Sequence, residues 1–312
     1  MRCSVSGDGA TGDSGSLDTQ SDVAEIYHLG LFGVEVIQVK KDEGGAPRPV
    51  RIFAPVEKGA YPVIYFFPGF LCLVNWYDTI LTHLASYGFI VAAIQTMDRG
   101  IGIPINVPKI PEETERAVNT MGWLEDNLGN LIEATPDLKK IGYAGHSRGG
   151  KVAWNIVRKG AELMPAGIAG IDPVDGTGIP AGSDIEVVTE PIAYDIPSLI
   201  IGTGLGCVVK TIIACAPRND GHLHFWENVS SPAYHVVAEE FGHMEMLDDA
   251  VNCGATCRSC TTAENGDRVK FRKQVGGSLA AFFAGVLKGK TSLFKTITDR
   301  KSAPILISSE SK

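Results

Sequence analysis

The stretch that most limits how this chain can fold runs from Lys139 to Lys159, KKIGYAGHSRGGKVAWNIVRK. An apolar run through Ile141, Tyr143 and Ala144 leads into Gly145-His146-Ser147-Arg148-Gly149. A segment with Val152, Ile156 and Val157 spaced for one helical face leads away. Strand, sharp turn and helix in that order are the setting in which a G-x-S-x-G turn presents a nucleophile. The glycines have a steric reason, since side chains two residues either side of the serine would strike neighbouring backbone. Ser147 is thereby pushed outward with its Oγ exposed, and the amide of Arg148 points to where negative charge develops on a substrate oxygen. In a chain with 36 glycines the five-residue match alone has little force; the flanking strand and helix carry the assignment.

The rest of the pattern supplies a sheet for that turn. Val34, Val36 and Val39 precede a turn at Glu43-Gly44-Gly45, and Val50, Ile52 and Phe53 follow it, which predicts an antiparallel hairpin. Continuous apolar runs at Val63–Phe67, Phe89–Ile94, Gly167–Val174, Ser198–Gly204 and Tyr234–Ala238 alternate with helical segments at Tyr77–Ser86 and Glu112–Leu128. Uninterrupted apolar strands separated by helices are the mark of a mostly parallel sheet covered on both faces. Tyr234–Ala238 is the last strand expected. Phe271, Val275, Leu279, Phe282 and Val286 then fall three or four residues apart on a closing helix. The fold class predicted is α/β, specifically the α/β-hydrolase sheet. One catalytic domain over about 23–290 is expected, between a flexible N-terminal segment, 1–22, and a C-terminal tail, 291–312.

A serine on such a sheet needs a base, an acid to orient it and a second oxyanion donor, and in this fold the chain order is Ser, acid, His. His28 and His83 precede the serine, and the side chain of His146, inside the turn, should point away from the reactive Oγ. His243 follows the last expected strand on a loop able to reach the turn, whereas His235 lies inside that strand, and His222 and His224 sit in a polar loop. His243 is therefore the candidate base. For the acid, Asp172 ends the strand after the elbow helix and Asp175 stands three residues on; both remain open, with Asp172 favoured by its rigid apolar lead-in. Gly69 in Phe67-Pro68-Gly69-Phe70-Leu71 lets backbone approach a substrate, and the Phe70 amide is the second donor expected beside that of Arg148.

Composition narrows the partners. The chain has 312 residues, 44% of them hydrophobic, and can bury about 75% of its unfolded surface in one core. A net charge of -8 and a pI near 5.4 argue against nucleic acid. No apolar run approaches the roughly 18–20 residues of a spanning helix, so any contact with membrane lipid is peripheral. Residues 1–22 hold almost nothing apolar and are too acidic for a typical transit peptide, and they have no signal-peptide core. The run Cys253-x3-Cys257-x2-Cys260 lies off the usual zinc spacings; a disulfide pinning the loop behind the base and free thiols both fit it, while Cys3, Cys72, Cys207 and Cys215 suggest no pairing. The sequence sets no oligomeric state.

Gly145-His146-Ser147-Arg148-Gly149-Gly150-Lys151 resembles the elbow of plant and algal chlorophyllases. Asp172-Pro173-Val174-Asp175-Gly176, the Gly202-Thr203-Gly204-Leu205-Gly206 strand end, Cys215-Ala216-Pro217 and Phe241-Gly242-His243-Met244-Glu245-Met246-Leu247-Asp248-Asp249 resemble further segments of that family, in order, from about Tyr61 to Leu287. Pro68-Gly69-Phe70 departs from the His-Gly-Phe usual in its oxyanion loop. The resemblance implies a serine esterase that cleaves the ester joining phytol to the propionate side chain of chlorophyll. It implies no cofactor or metal of the protein's own, since the magnesium belongs to the substrate, and a chloroplast location. Both halves of chlorophyll are large and apolar, so Leu71, Leu73, Trp76 and Met244 are the expected lining of the site mouth unless they join the core.

Overall fold

Alternating side chains of the central strands face two helical layers, and this division builds the molecule. In a computed structural model the described residues are 3, 25–98, 107–160, 162–176, 182–189, 195–249, 251 and 254–312. Among them nine strands form one sheet: β1 Val34–Val39, β2 Val50–Pro55, β3 Ala60–Phe67, β4 Ile90–Ile94, β5 Thr135–His146, β6 Gly167–Ile171, β7 Ser198–Thr203, β8 Ala233–Ala238 and β9 Ile307–Ser311. Their order is β1-β2-β4-β3-β5-β6-β7-β8-β9. The six from β4 to β8 run parallel, and β1, β2 and β9 are antiparallel to their neighbours.

Among the described residues seven α-helices pack around it: α1 Asp78–Ala85, α2 Ile110–Leu131, α3 Arg148–Arg158, α4 His222–Asn228, α5 Gly254–Arg258, α6 Arg268–Lys288 and α7 Phe294–Thr298. Along β3, Ile64 and Phe66 face a core shared with α1 and α6, while Val63, Tyr65 and Phe67 face the one shared with α2 and α3. A strand buried on both faces must be apolar at every position, which is why these stretches read as continuous runs rather than alternating ones. Helix α6 is buried nearly all round, with Phe271, Val275, Leu279, Phe282 and Phe283 fully enclosed. Gly142 of β5 lets Phe283 reach the sheet, since a Cβ there would stand 2.5 Å from its ring.

Two expectations change. The strand expected to be last is followed by β9, which adds the C-terminal tail to the sheet edge. Its sequence, Ile-Ser-Ser-Glu-Ser, has one apolar residue and is held by the backbone ladder to β8 and by Glu310, which accepts from His235 Nδ1 at 2.9 Å. The cysteines also pair across the chain: Cys3 with Cys207 and Cys215 with Cys260, over separations of 204 and 45 residues. Cys257 is disulfide-bonded as well, and Cys253 lies outside the described residues, as does all but Cys3 of the N-terminal segment 1–22 expected to be flexible. No helix among the described residues is long and apolar enough to cross a membrane.

Helix α6 packs its enclosed side chains against β5, β6 and β7. Replacing Phe282 by Ala should remove about 3–5 kcal/mol of unfolding free energy, read as a lower denaturant midpoint with unchanged slope.

Candidate active site

The carboxyl ends of β3, β5, β6, β7 and β8 open on the same side, and each contributes to one cluster. Ser147 follows β5 with φ 52° and ψ −123°, a backbone that an L residue keeps only when its surroundings leave no alternative. The surroundings do so: a Cβ on Gly145 would stand 2.3 Å from the Gly149 carbonyl, and one on Gly149 would stand 2.0 Å from that of Phe67. The turn also accepts and donates in register, with the Ser147 amide bonded to Ile171 O at 3.0 Å and its carbonyl taking the Gly150 amide at 3.0 Å.

His243 Nε2 lies 2.8 Å from Ser147 Oγ, and His243 Nδ1 lies 2.7 Å from Asp172 Oδ2. Asp172 is wholly buried at the end of β6 with φ 42°. Its carboxylate accepts from the Thr203 amide at 3.1 Å and from Thr203 Oγ1 at 2.6 Å. Burial pushes the Asp172 carboxyl up, but the hydrogen bond and charge of His243, with the Thr203 hydroxyl, outweigh it and hold the group below the usual carboxylate range. An ionised acid donated to by Nδ1–H leaves Nε2 bare and facing the serine, the tautomer that can take a proton from it.

Of the two acids left open by the sequence, only Asp172 touches His243. Asp175 is occupied by the amides of Val187 and Val188 at 2.6–3.0 Å and by Lys151 Nζ at 3.4 Å. Lys151 Nζ also donates to the carbonyls of Asp175, Gly176 and Ile185. The Asp175–Lys151 pair therefore fixes the loop beyond β6 and is turned away from the base. His222 bonds His235 at 2.9 Å and His224 bonds the Val188 carbonyl at 2.8 Å, so neither contacts Ser147 or Asp172 by a hydrogen bond.

The oxyanion side is assembled by contact. A Cβ on Gly69 would lie 2.8 Å from His146 Nδ1 and 3.3 Å from Ser147 Cβ, so the Pro68–Leu71 turn passes directly over the serine and admits only glycine. Phe70 is next in that turn, and the Arg148 amide belongs to the first turn of α3, whose N–H groups have no intrahelical acceptor. The Arg148 side chain points elsewhere. Its Nε donates to Glu113 and its Nη2 to Asp184 and to the Pro108 carbonyl, and burial of Glu113 is offset in part by that cation. This buried ion cluster holds the elbow helix against α2.

Two side chains to which sequence reasoning gave no connecting role, Tyr77 and His146, tie these parts together. Tyr77 accepts from the Gly69 amide at 3.0 Å and donates to His146 Nδ1 at 2.8 Å, and His146 Nε2–H donates to the His243 carbonyl at 3.1 Å. The His146 side chain does turn away from Ser147 Oγ, yet its ring lies 4.7 Å from that of His243. Burial, then the neighbouring His243, lowers the His146 pKa to about 3, so His146 stays neutral and can accept and donate at once. The base loop has further anchors. Glu245 accepts from the Gly242 and Ala263 amides at 2.7 and 2.8 Å, and Arg272 donates to the Leu247 carbonyl at 3.0 Å.

The expected lining behaves differently from the expectation. Trp76 and Met244 are 5% and 6% exposed and belong to the core cluster with Cys72, Val74 and Tyr77; Leu71 is buried, and Leu73 is half-buried against that cluster. The Trp76 carbonyl takes the Asp248 amide at 2.9 Å, which ties the 244–248 turn to the segment before α1. Among the described residues no group of three or more His, Cys, Asp or Glu side chains is placed to hold a metal ion.

A nine-stranded, mostly parallel sheet with helices on both sides and a Ser–His–Asp contact chain at its carboxyl end belongs to an α/β-hydrolase, and the class is that of the carboxylic ester hydrolases. The chlorophyllase family model matches residues 22–312, and the chain belongs to the chlorophyllase family. It is 34% identical over 256 residues to chlorophyllase-2 of Arabidopsis thaliana, covering 78% of this chain and 79% of the relative. It is 32% identical over 286 residues to chlorophyllase-1 of the same plant, covering 88% and 86%. A chloroplastic chlorophyllase-1 of Citrus unshiu is 32% identical over 296 residues, covering 91% and 87%.

The Tyr77 hydroxyl has two partners to lose. Tyr77→Phe should cost about 1–3 kcal/mol of stability and lower kcat on any cleaved ester on the order of tenfold, with KM little changed, because the oxyanion turn and the base loop lose their shared register. The pH dependence of folding follows from His146 and from His222, which burial also lowers to about 3. Unfolded, each takes a proton near pH 6.5. Between pH 6.5 and 3 the unfolded chain therefore binds more protons, and stability should fall with falling pH by ~1.4 kcal/mol per unit for each histidine. Denaturant titrations at several pH values check the slope, and His222→Gln should flatten it by one histidine's share.

Proposed function

We propose that the protein hydrolyses the phytyl ester of chlorophyll to chlorophyllide and phytol through an acyl-enzyme on Ser147. The observation that carries the reading is the chain of contacts from Ser147 Oγ through both nitrogens of His243 to Asp172, all at 2.7–2.8 Å, in a member of the chlorophyllase family. His243 Nε2 takes the Ser147 proton as Oγ bonds to the ester carbonyl carbon. The carbonyl oxygen becomes an oxyanion, held by the amides of Phe70 and Arg148. As that intermediate collapses, the bond to the phytyl oxygen breaks and His243 gives its proton to the departing phytol. Water then repeats the sequence at the acyl carbon, with His243 accepting its proton and returning one to Ser147. Asp172 stays ionised throughout and stabilises the transient imidazolium.

Chlorophyll as substrate rests on the family and on the named relatives rather than on a pocket. Leu73, half-buried beside the oxyanion turn, is the side chain best placed to meet the pigment or its chain, with Leu71 next to it. The magnesium enters with the pigment and takes no part in the protein's own chemistry. A plastid location is proposed on the same ground, since citrus relatives are named chloroplastic.

Incubation with chlorophyll in mild detergent followed by phase partition tests the reading. Polar chlorophyllide should appear in the aqueous-acetone layer, and Ser147→Ala should abolish its formation, by a factor on the order of 10³ or more, while leaving pigment binding. Chlorophyllide production by the Ser147→Ala protein at the wild-type rate would contradict the mechanism. Cleavage of short nitrophenyl esters with chlorophyll left intact would contradict the substrate.

A further inference from the structure

Five consecutive residues, Val209-Lys210-Thr211-Ile212-Ile213, are exposed. Ile212 is 89% exposed and Val209 and Ile213 are 58% exposed, and no other run of five described residues presents three large aliphatic side chains to solvent. Water does not favour such a run, and one kept in place by its neighbours marks a contact surface. This run is kept in place. Cys207 and Cys215 bracket it, bonded to Cys3 and Cys260. Val209 bridges Cys260, and the Val208 carbonyl accepts from Thr261 Oγ1 at 2.8 Å. The tip is thereby held out from the surface at its base and cannot fold over to bury itself.

Its place in the fold is also specific. The segment leaves the carboxyl end of β7 beside the acid, since a Cβ on Gly206 would stand 2.7 Å from Asp172 Oδ2. The segment thus starts from the same end of the sheet as Ser147. Leu29 and Leu31, the other strongly exposed aliphatics close in sequence, lie at the opposite end, where Gly30 and Phe32 bond Ser86 just before β4.

The charges around the tip select the partner. The chain carries 36 acidic against 28 basic residues, yet residues 205–218 contain only Lys210 and Arg218 as charged groups, and residues 254–262 contain only Arg258. All three cations are exposed. A protein partner would be met by aromatic anchors, and the exposed tip has none. Aliphatic side chains on a segment whose own charged groups are all cations suit the boundary of an anionic bilayer, where the aliphatics enter the acyl region and the cations meet headgroup phosphates.

We propose that Val209–Ile213 is a lipid-insertion tip that seats the open end of the sheet on an anionic membrane. On the reading of the function above, this presents Ser147 to a phytylated pigment that resides in the bilayer; the docking itself does not depend on that reading.

Sedimentation with pigment-free vesicles of phosphatidylcholine and phosphatidylglycerol tests it. The wild-type protein should pellet with the vesicles, less so in pure phosphatidylcholine or at high salt. Ile212→Asp combined with Ile213→Asp should weaken partition on the order of 10²-fold, and Lys210→Ala roughly fivefold, with cleavage of a soluble nitrophenyl ester unchanged in both. As an independent readout, the indole introduced by Ile212→Trp should shift its emission to the blue on vesicle addition and be quenched by brominated acyl chains. Wild-type protein left in the supernatant, a double variant that pellets equally, or an indole unmoved by vesicles would overturn the proposal. So would a wild-type dimer that the double variant splits, which would make the tip a self-association surface. Vesicle binding without chlorophyll cleavage contradicts the proposed function alone, and cleavage in detergent without vesicle binding contradicts the docking alone.

Discussion

The structure depends on a steric constraint at one turn. Between β5 and α3 the chain reverses so tightly that Gly145 and Gly149 have no room for a Cβ, and Ser147 is held at φ 52°. Strain of this kind costs on the order of 1–3 kcal/mol and persists only where the surroundings over-determine it. Here they do, through the ladder of β5 between β3 and β6, the ion cluster of Arg148 with Glu113 and Asp184, and the buried Lys151 with Asp175. The two cations of the first α3 turn are thus spent on holding the elbow rather than on substrate.

A second layer keeps the groups around the serine in common register. The Gly69 amide, Tyr77, His146 and the His243 carbonyl form one hydrogen-bonded path from the oxyanion turn to the base loop. It works because burial keeps His146 neutral, with its pKa near 3; a charged imidazolium could not accept from Tyr77. Glu245 and Thr261 fix the loop from the other side, the latter leaving no space for a side chain at Gly242. His146 is therefore as much a part of the site's geometry as Ser147 and His243.

Much of this was legible in the residues. The parallel strands announced themselves because burial on both faces demands continuous apolar runs, as in Val63–Phe67. The elbow was readable because steric exclusion writes itself as glycine at fixed offsets. The choice between Asp172 and Asp175 was legible only as a lean toward Asp172 from its rigid apolar lead-in, since both follow the same strand. In the structure the turn at Asp172, φ 42°, aims its carboxylate at His243 and Thr203, while amides from Val187 and Val188 occupy that of Asp175. Tyr77 and His146 stand 69 residues apart, and the disulfide partners stand 204 and 45 apart; pairings at such distances leave no local pattern. Strand β9 was missed because an edge strand with one face in solvent needs little hydrophobicity, and Ile-Ser-Ser-Glu-Ser supplies little.

The central claim is that one hydroxyl is activated by the imidazole the fold holds against it. Labelling with a fluorophosphonate followed by peptide mass spectrometry tests this most directly. The account predicts phosphonylation of the wild-type protein at Ser147 and nowhere else, with labelling slowed by several orders of magnitude when His243 is replaced by Ala. Rapid labelling of Ser147 in the absence of the His243 imidazole, or ester turnover by a protein whose Ser147 resists the probe, would contradict it.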